Sequence, residues 1–297
     1  MTGTREAEPP RSVAVVGLGL IGASLCGALR VAVRGMRIIG VARRQEVAAR
    51  ALADGICDVA GTDATLLAEA ELVVLCTPVD AMPEWLVACR EHAGGALATD
   101  CGSTKAWIVD RAATILPPQR FLGGHPMAGR ERSGYEAADP ALFAGCTWVL
   151  TPRSDADLDA FAPWSACIER VGAHIEVLDA AAHDVAAASI SHLPFSLSAA
   201  LVRAAGAGKG WPEAQRLAAA GFRDMARLSG GEAAMYAAIT STNGIAIAAA
   251  LDALESQLRE LRGVLGDHDA AAAYFDEARA IRQRWLEERA AAGRPVR

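Results

Sequence analysis

The sequence is short of positive charge, of aromatic rings and of clustered cysteine. Lys and Arg number 29 against 35 Asp and Glu, a net charge of −6 over 297 residues. Nucleic acids and anionic lipid surfaces recruit basic patches, so neither is an expected partner. The seven cysteines, at 26, 57, 76, 89, 101, 146 and 167, are odd in number, widely spaced and without a CxxC or Cys/His group. They suggest no zinc or other metal site and no disulfide framework, and a reducing cytoplasm is the consistent location. The longest weakly charged stretch read here, Val13 to Leu29, holds glycines at 17, 19, 22 and 27, where a membrane span needs bulk. The opening TGTREAEPPR is acidic and proline-containing, unlike the basic leader of a signal peptide. No membrane association is expected.

What the sequence has in quantity is apolar residues, 52%, with much alanine, which favours helices and a folded globular chain. The length suits two domains of roughly 100 to 200 residues each. SVAVVGLGLIG reads as a buried strand running into a glycine turn, and ASLCGALRVAV has helical spacing. MRIIGVA is a strand, QEVAARALADG a helix, ELVVLCTPV and GALATDCGS strands. RFLGGHP, TWVLTP and HIEVLD add three more up to about Asp179. Strands alternating with helices imply a parallel sheet covered on both faces. From Ala180 onward there is no convincing strand, only helical segments with a long amphipathic run from Ile245 to about Arg289. Pro194 lies inside one helical pattern and should kink it. The expected fold is α/β: a doubly wound, Rossmann-like dinucleotide-binding sheet over residues 1–179, followed by an all-helical domain over 180–297.

Gly17-Leu18-Gly19-Leu20-Ile21-Gly22 is a GxGxxG between a strand and a helix, the arrangement that brings pyrophosphate onto backbone amides at a helix N-terminus. About 20 residues later an NAD site would place an acidic residue on the ribose. Ala42-Arg43-Arg44 stands there instead, and two arginines suit a 2′-phosphate, so NADP is expected in preference to NAD. His125, in Gly123-Gly124-His125-Pro126-Met127-Ala128-Gly129, is either a hydrogen-bonded turn residue or a general base for a hydroxyl proton. Three further segments weigh on that choice: Asp100-Cys101-Gly102-Ser103-Thr104-Lys105, Ser191-His192-Leu193-Pro194 and Gly221-Phe222-Arg223-Asp224-Met225-Ala226-Arg227.

Taken in order, GLGLIG, D-x-x-S-x-K, GGHPMAG, SHLP and GFRD-x-x-R resemble the prephenate and arogenate dehydrogenase family of tyrosine biosynthesis, over about residues 12 to 245. The resemblance implies a dinucleotide-binding domain followed by a helical dimerisation domain, hence a homodimer. It implies that His125 is the catalytic histidine and that Ser103 hydrogen-bonds both to it and to the substrate hydroxyl. Arg227 matches the arginine that binds a substrate carboxylate, and His192 a pocket-lining or helix-fixing histidine. Thr77 and Pro78 match positions beside the nicotinamide and its ribose. Tyr236, where many relatives have tryptophan, is read as pocket wall. Phe195 departs from the HLPH of many prephenate-using relatives. His183 is expected to cap or pack a helix, and His92, His174 and His268 to be solvated.

The implied reaction is oxidation of a small cyclohexadienyl substrate with loss of carbon dioxide, giving tyrosine from arogenate or 4-hydroxyphenylpyruvate from prephenate. An amino-substituted analogue is a third candidate. Two other readings stand beside it. A β-hydroxyacid dehydrogenase would share the glycine turn, but its G-x-x-x-K-x-x-N pattern is absent after residue 150. A non-catalytic NADP-binding regulator would not need Ser103, His125 and Arg227 together. The two domains account for the chain, so no appended mutase or regulatory domain is expected.

Overall fold

A computed structural model describes residues 7–129 and 132–293. Val13 to Val16 are an unbroken apolar run, the pattern of a strand covered on both faces. They lie in β1 (Ser12–Val16) with no exposed surface. β2 (Arg37–Val41), β3 (Val59–Gly61), β4 (Leu72–Leu75), β5 (Leu97–Asp100), β6 (Phe121–Pro126), β7 (Thr147–Thr151) and β8 (His174–Val177) complete one sheet. Its order is β3-β2-β1-β4-β5-β6-β7-β8. Neighbours from β3 through to β6 are parallel, β7 runs antiparallel to β6, and β8 is parallel to β7. β3, three half-buried residues, is too short to show a period and is absent from the sequence reading.

Helices α1 (Leu20–Ala32), α2 (Gln45–Ala53), α3 (Met82–His92) and α4 (Ala106–Ile115) return the chain between the first strands, and α5 (Asp155–Ala160) and α6 (Ala162–Arg170) link β7 to β8. One core layer gathers Leu25, Leu29, Ile38, Trp148, Phe161 and Trp164; the other gathers Ile39, Val73, Leu75, Leu86 and Ile108. Two such layers make the sheet doubly wound. The strand order reverses between β1 and β4, which opens a crevice at their C-terminal ends.

The chain divides into two units, Met1–Gly244 and Ile245–Arg297. The first also contains α7 (Ala180–Ala187), α8 (Leu193–Ala207), α9 (Trp211–Leu217), α10 (Ala220–Ala226) and α11 (Ala233–Thr242). The expected kink at Pro194 takes the form of a π turn, Ala188–His192, between α7 and α8. The wider turn lets the helix pass a residue that has no N–H to give. By length and composition the resulting run Ala180–Ala207 could cross a membrane, and it is longer than the stretch singled out from the sequence. It nevertheless carries buried His183, Asp184, His192 and Ser198.

The second unit holds nearly all of α12 (Gly244–Gly263) and then α13 (His268–Ala291). The amphipathic run expected to be continuous is therefore two helices. Gly266 turns the chain with φ 92°, and the Asp267 carboxylate accepts from the amides of Asp269 and Ala270 to start α13.

Candidate active site

β1 feeds the glycine turn. Gly17 has φ 95°, and a Cβ there would meet the Cys76 carbonyl at 2.9 Å; one on Gly22 would meet the Gly17 carbonyl oxygen at 2.0 Å. Both positions thus require glycine. A Cβ on Gly19 would meet nothing within 4 Å. Gly19 caps α1 without a side-chain bond, and the first turn has no acidic residue. The amides around Leu20 and Ile21 therefore present the positive end of α1 to open space, a cradle for pyrophosphate.

Gly17 N donates to the Val41 carbonyl at 2.8 Å, which ties this turn to the end of β2. Ala42-Arg43-Arg44 follows at once, both arginines exposed and Arg44 at the N-cap of α2. Beyond β4, the Thr77 hydroxyl is buried without a hydrogen-bond partner and Pro78 is exposed. Cradle, arginines and orphaned hydroxyl together fit a nicotinamide dinucleotide.

The second half of the site grows from β5 and β6, which pair only at Ala98–Phe121 and Thr99–Leu122 before parting. The Asp100 carboxylate fills the gap, accepting from Gly124 N at 3.0 Å and Gly102 N at 2.8 Å. Lys105, fully buried, donates to Asp100 and, at 2.8 Å, to the Gly124 carbonyl, so the buried charges are paired and hydrogen-bonded. A Cβ on Gly123 would lie 2.3 Å from the Thr151 hydroxyl and one on Gly124 2.6 Å from the Asp100 carbonyl. This packing explains the two glycines ahead of His125.

His125 is buried near the end of β6, with Nδ1 2.9 Å from Nε2 of His183 on α7. His183 Nδ1 is 2.8 Å from the Asp184 carboxylate. That carboxylate accepts from Lys105 N at 2.6 Å and from Ala106 N at 2.9 Å, at the start of α4. Asn243 Nδ2 donates to the Asp184 carbonyl at 2.8 Å and lies 3.2 Å from His192 Nδ1. A carbonyl can only accept, so the amide nitrogen is the shared donor, and His192 Nδ1 accepts. The His192 proton then sits on Nε2, a buried atom without a partner of its own.

Burial pushes the His125 imidazole well below its ordinary 6.5, and the nearby His183, Lys105 and His192 push it the same way. Burial takes His192 down to about 4, against the opposing pull of Asp184. Both rings are neutral near pH 7.

Ser103 is half-buried in the loop after β5 and, among the described residues, makes no side-chain hydrogen bond; the His125 ring bonds to His183. Arg227 is exposed and opens a short turn, Arg227–Gly230. That turn is tied to α8 by Ser229 N donating to the Ser198 hydroxyl at 2.9 Å, and to α11 by the Tyr236 hydroxyl donating to the Leu228 carbonyl at 2.6 Å. Tyr236 is half-buried and stacks on Phe195.

The capping role expected of His183 belongs to Asp179, whose carboxylate accepts from Ala181 N and Ala182 N. Sequence reasoning missed Asp184, Lys105, Asp100 and Asn243 as parts of the site. The Asp100 and Lys105 pair was visible within D-x-x-S-x-K; Asn243 carried no signal. His92, His174 and His268 are exposed.

A family model described as "Prephenate dehydrogenase, nucleotide-binding domain" matches residues 25–177, and one described as "Prephenate dehydrogenase, dimerization domain" matches 179–277. The chain belongs to the prephenate dehydrogenase family. It is 35% identical to the prephenate dehydrogenase of Bacillus subtilis over 258 residues, 84% of this chain and 68% of that one. Its structure resembles that of Synechocystis arogenate dehydrogenase with a TM-score of 0.79 and 34% identity, covering 93% of this chain and 100% of the other. Prephenate dehydrogenase from A. aeolicus in complex with hydroxyphenyl propionate and NAD+ gives a TM-score of 0.86 at 27% identity, covering 95% and 99%. The protein is accordingly an enzyme, a nicotinamide-dependent dehydrogenase of this prephenate dehydrogenase family.

Proposed function

We propose that the protein converts arogenate to tyrosine in preference to prephenate to 4-hydroxyphenylpyruvate, by oxidative decarboxylation, with NADP in preference to NAD. The observation that carries the chemistry is His125, a buried, neutral imidazole at the C-terminal end of the sheet. A neutral imidazole can take a hydroxyl proton at cellular pH. Gly17, Gly19, Leu20, Ile21, Gly22, Thr77 and Pro78 would hold the dinucleotide, which when bound supplies the hydride acceptor. Arg43 and Arg44 would take its 2′-phosphate.

Ser103 positions the substrate hydroxyl, and His125 accepts its proton. His192 Nε2–H and the Arg227 guanidinium would meet the substrate's carboxylates, with Tyr236 as wall. Loss of carbon dioxide aromatises the ring, so the step does not return.

Residues 1–179 form the dinucleotide-binding part and 180–297 the helical part of this reading; β8 ends at Val177 and, among the described residues, only helices follow. The helical part pairs two copies into a homodimer. Its exposed Ile190, Leu217, Ile245, Phe275 and Trp285 support that pairing, which would take apolar surface out of water. Seven free cysteines agree with a reducing cytoplasm.

The deciding experiment compares initial rates for arogenate and prephenate, each with NAD and with NADP. Arogenate with NADP should have the highest kcat/KM, and His125→Asn should lower kcat by about 100-fold while leaving cofactor affinity near the parent value. Turnover of neither substrate would end the proposal.

A further inference from the structure

Resting on the reading of His125 as the base, we propose that Asp184 and His183 form a relay that fixes the tautomer of His125 and receives its charge. Asp184 accepts two backbone amides at the N-terminal end of α4, one on each carboxylate oxygen. A carboxylate cannot donate, so the hydrogen 2.8 Å away on His183 Nδ1 belongs to the ring. His183 then offers a lone pair at Nε2. Across the 2.9 Å contact the donor must be His125 Nδ1–H. His125 is left with its lone pair on Nε2, the nitrogen on the ring edge away from His183. Three side chains at fixed distances thus select one of two tautomers, and it is the one with a basic atom outside the relay.

The same chain settles where charge goes. The groups acting on His125 are His183 from α7, His192 from the π turn and Lys105 before α4; Asp184 and Asp100 stand one contact further out, on His183 and on Lys105. An imidazolium on His125 would sit near the buried Lys105 ammonium. When Nε2 takes the substrate hydroxyl proton, the Nδ1 proton can pass to His183 Nε2. His125 stays neutral, now protonated at Nε2, and the positive charge rests on the ring beside the Asp184 carboxylate. One proton enters and one moves, so the step balances without a further reactant. His183 and Asp184 are positioning residues, since neither needs to touch the substrate.

The test pairs kinetics with side-chain nitrogen NMR of the histidines in the full-length protein without ligand. In the parent, His125 should carry its proton on Nδ1 and His183 on Nδ1. His183→Ala should lower kcat by about 100-fold, leave KM for the cofactor unchanged and populate both His125 tautomers. His183→Gln should recover part of the rate, because its amide oxygen can accept from Nδ1–H but cannot carry the proton onward. Asp184→Asn should let the His183 proton move to Nε2. A parent His125 protonated on Nε2 overturns the relay even if no variant folds. So does a folded His183→Ala with parental kcat and tautomer. Absence of turnover in the parent counts against the dehydrogenase assignment instead, and leaves the tautomer measurement to decide the relay.

Discussion

The rings of Phe195 and Tyr236 lie face to face, 4.0 Å between centroids and 10° from parallel. Phe195 follows His192 by three residues on α8, ring centroids 6.0 Å apart, and Tyr236 reaches over from α11 to bond the Leu228 carbonyl. The stack therefore links three elements beside His192 and offers no hydrogen-bond donor from position 195. A ligand with an acceptor on its side chain finds one polar contact fewer there than a histidine would give. Phe195→His should raise kcat/KM for prephenate relative to arogenate by up to about 10-fold, because a ring N–H can donate to a keto oxygen and not to an ammonium group and such a bond contributes about 0.5 to 1.5 kcal/mol, or it should strengthen inhibition by tyrosine. Losing the stack should cost about 1 kcal/mol of stability. Kinetics identical to the parent on both counts would make Phe195 simple packing.

Arg227 stands at the head of a turn whose other residues are anchored independently, Leu228 through Tyr236 and Ser229 through Ser198. The turn therefore keeps both of those anchors when the Arg227 side chain is removed. Arg227→Ala should raise KM by well over 10-fold, because truncating one partner of a hydrogen-bonded charge pair costs about 2 to 5 kcal/mol. An unchanged KM would place the carboxylate elsewhere.

The parts of the fold that were legible are those where one physical demand dominates a short stretch. An apolar run ending in glycine has little choice but a buried strand and a tight turn, so β1 and its loop could be read directly. The break between α12 and α13 was hidden because Val264 and Leu265 carry the apolar pattern across it. Only the positive φ of Gly266 and the cap by Asp267 reveal it. The site divides the same way. His125 was flagged by its glycines and proline, whereas His183, its hydrogen-bond partner, is 58 residues away in sequence, and only the folding of α7 against α4 brings them together. Lys105 and Asp100 stand in D-x-x-S-x-K, but nothing in that spacing shows that both are buried.

Arg43 and Arg44 follow the strand whose last carbonyl holds Gly17, so they stand next to the glycine turn, with no carboxylate at the strand end. Replacing both by alanine should raise Kd for NADP by more than 10-fold and Kd for NAD far less, since only the 2′-phosphate offers a guanidinium its charged oxygens. Titration of the free enzyme with each cofactor measures this directly. Equal losses would remove the pair from cofactor selection.

Two neutral buried imidazoles give the acid side of the pH dependence a definite sign. The folded values of His125 and His192 lie below 6.5, so on acidification the unfolded chain takes up protons before the folded one. Their effect on stability is absent above that value and unfavourable below it. For His192 the loss runs from 6.5 down to about 4, at up to about 1.4 kcal/mol per pH unit. Denaturant midpoints should therefore fall between pH 7 and pH 5, and less steeply in His192→Gln, which has nothing to protonate there. Catalysis should outlast ordinary imidazole protonation, because His125 stays neutral below 6.5 and the acid limb of kcat/KM lies lower still. An acid limb centred at 6.5 or above would show His125 to be more solvated than its burial implies. A His192→Gln variant as acid-sensitive as the parent would remove His192 as a source of the slope.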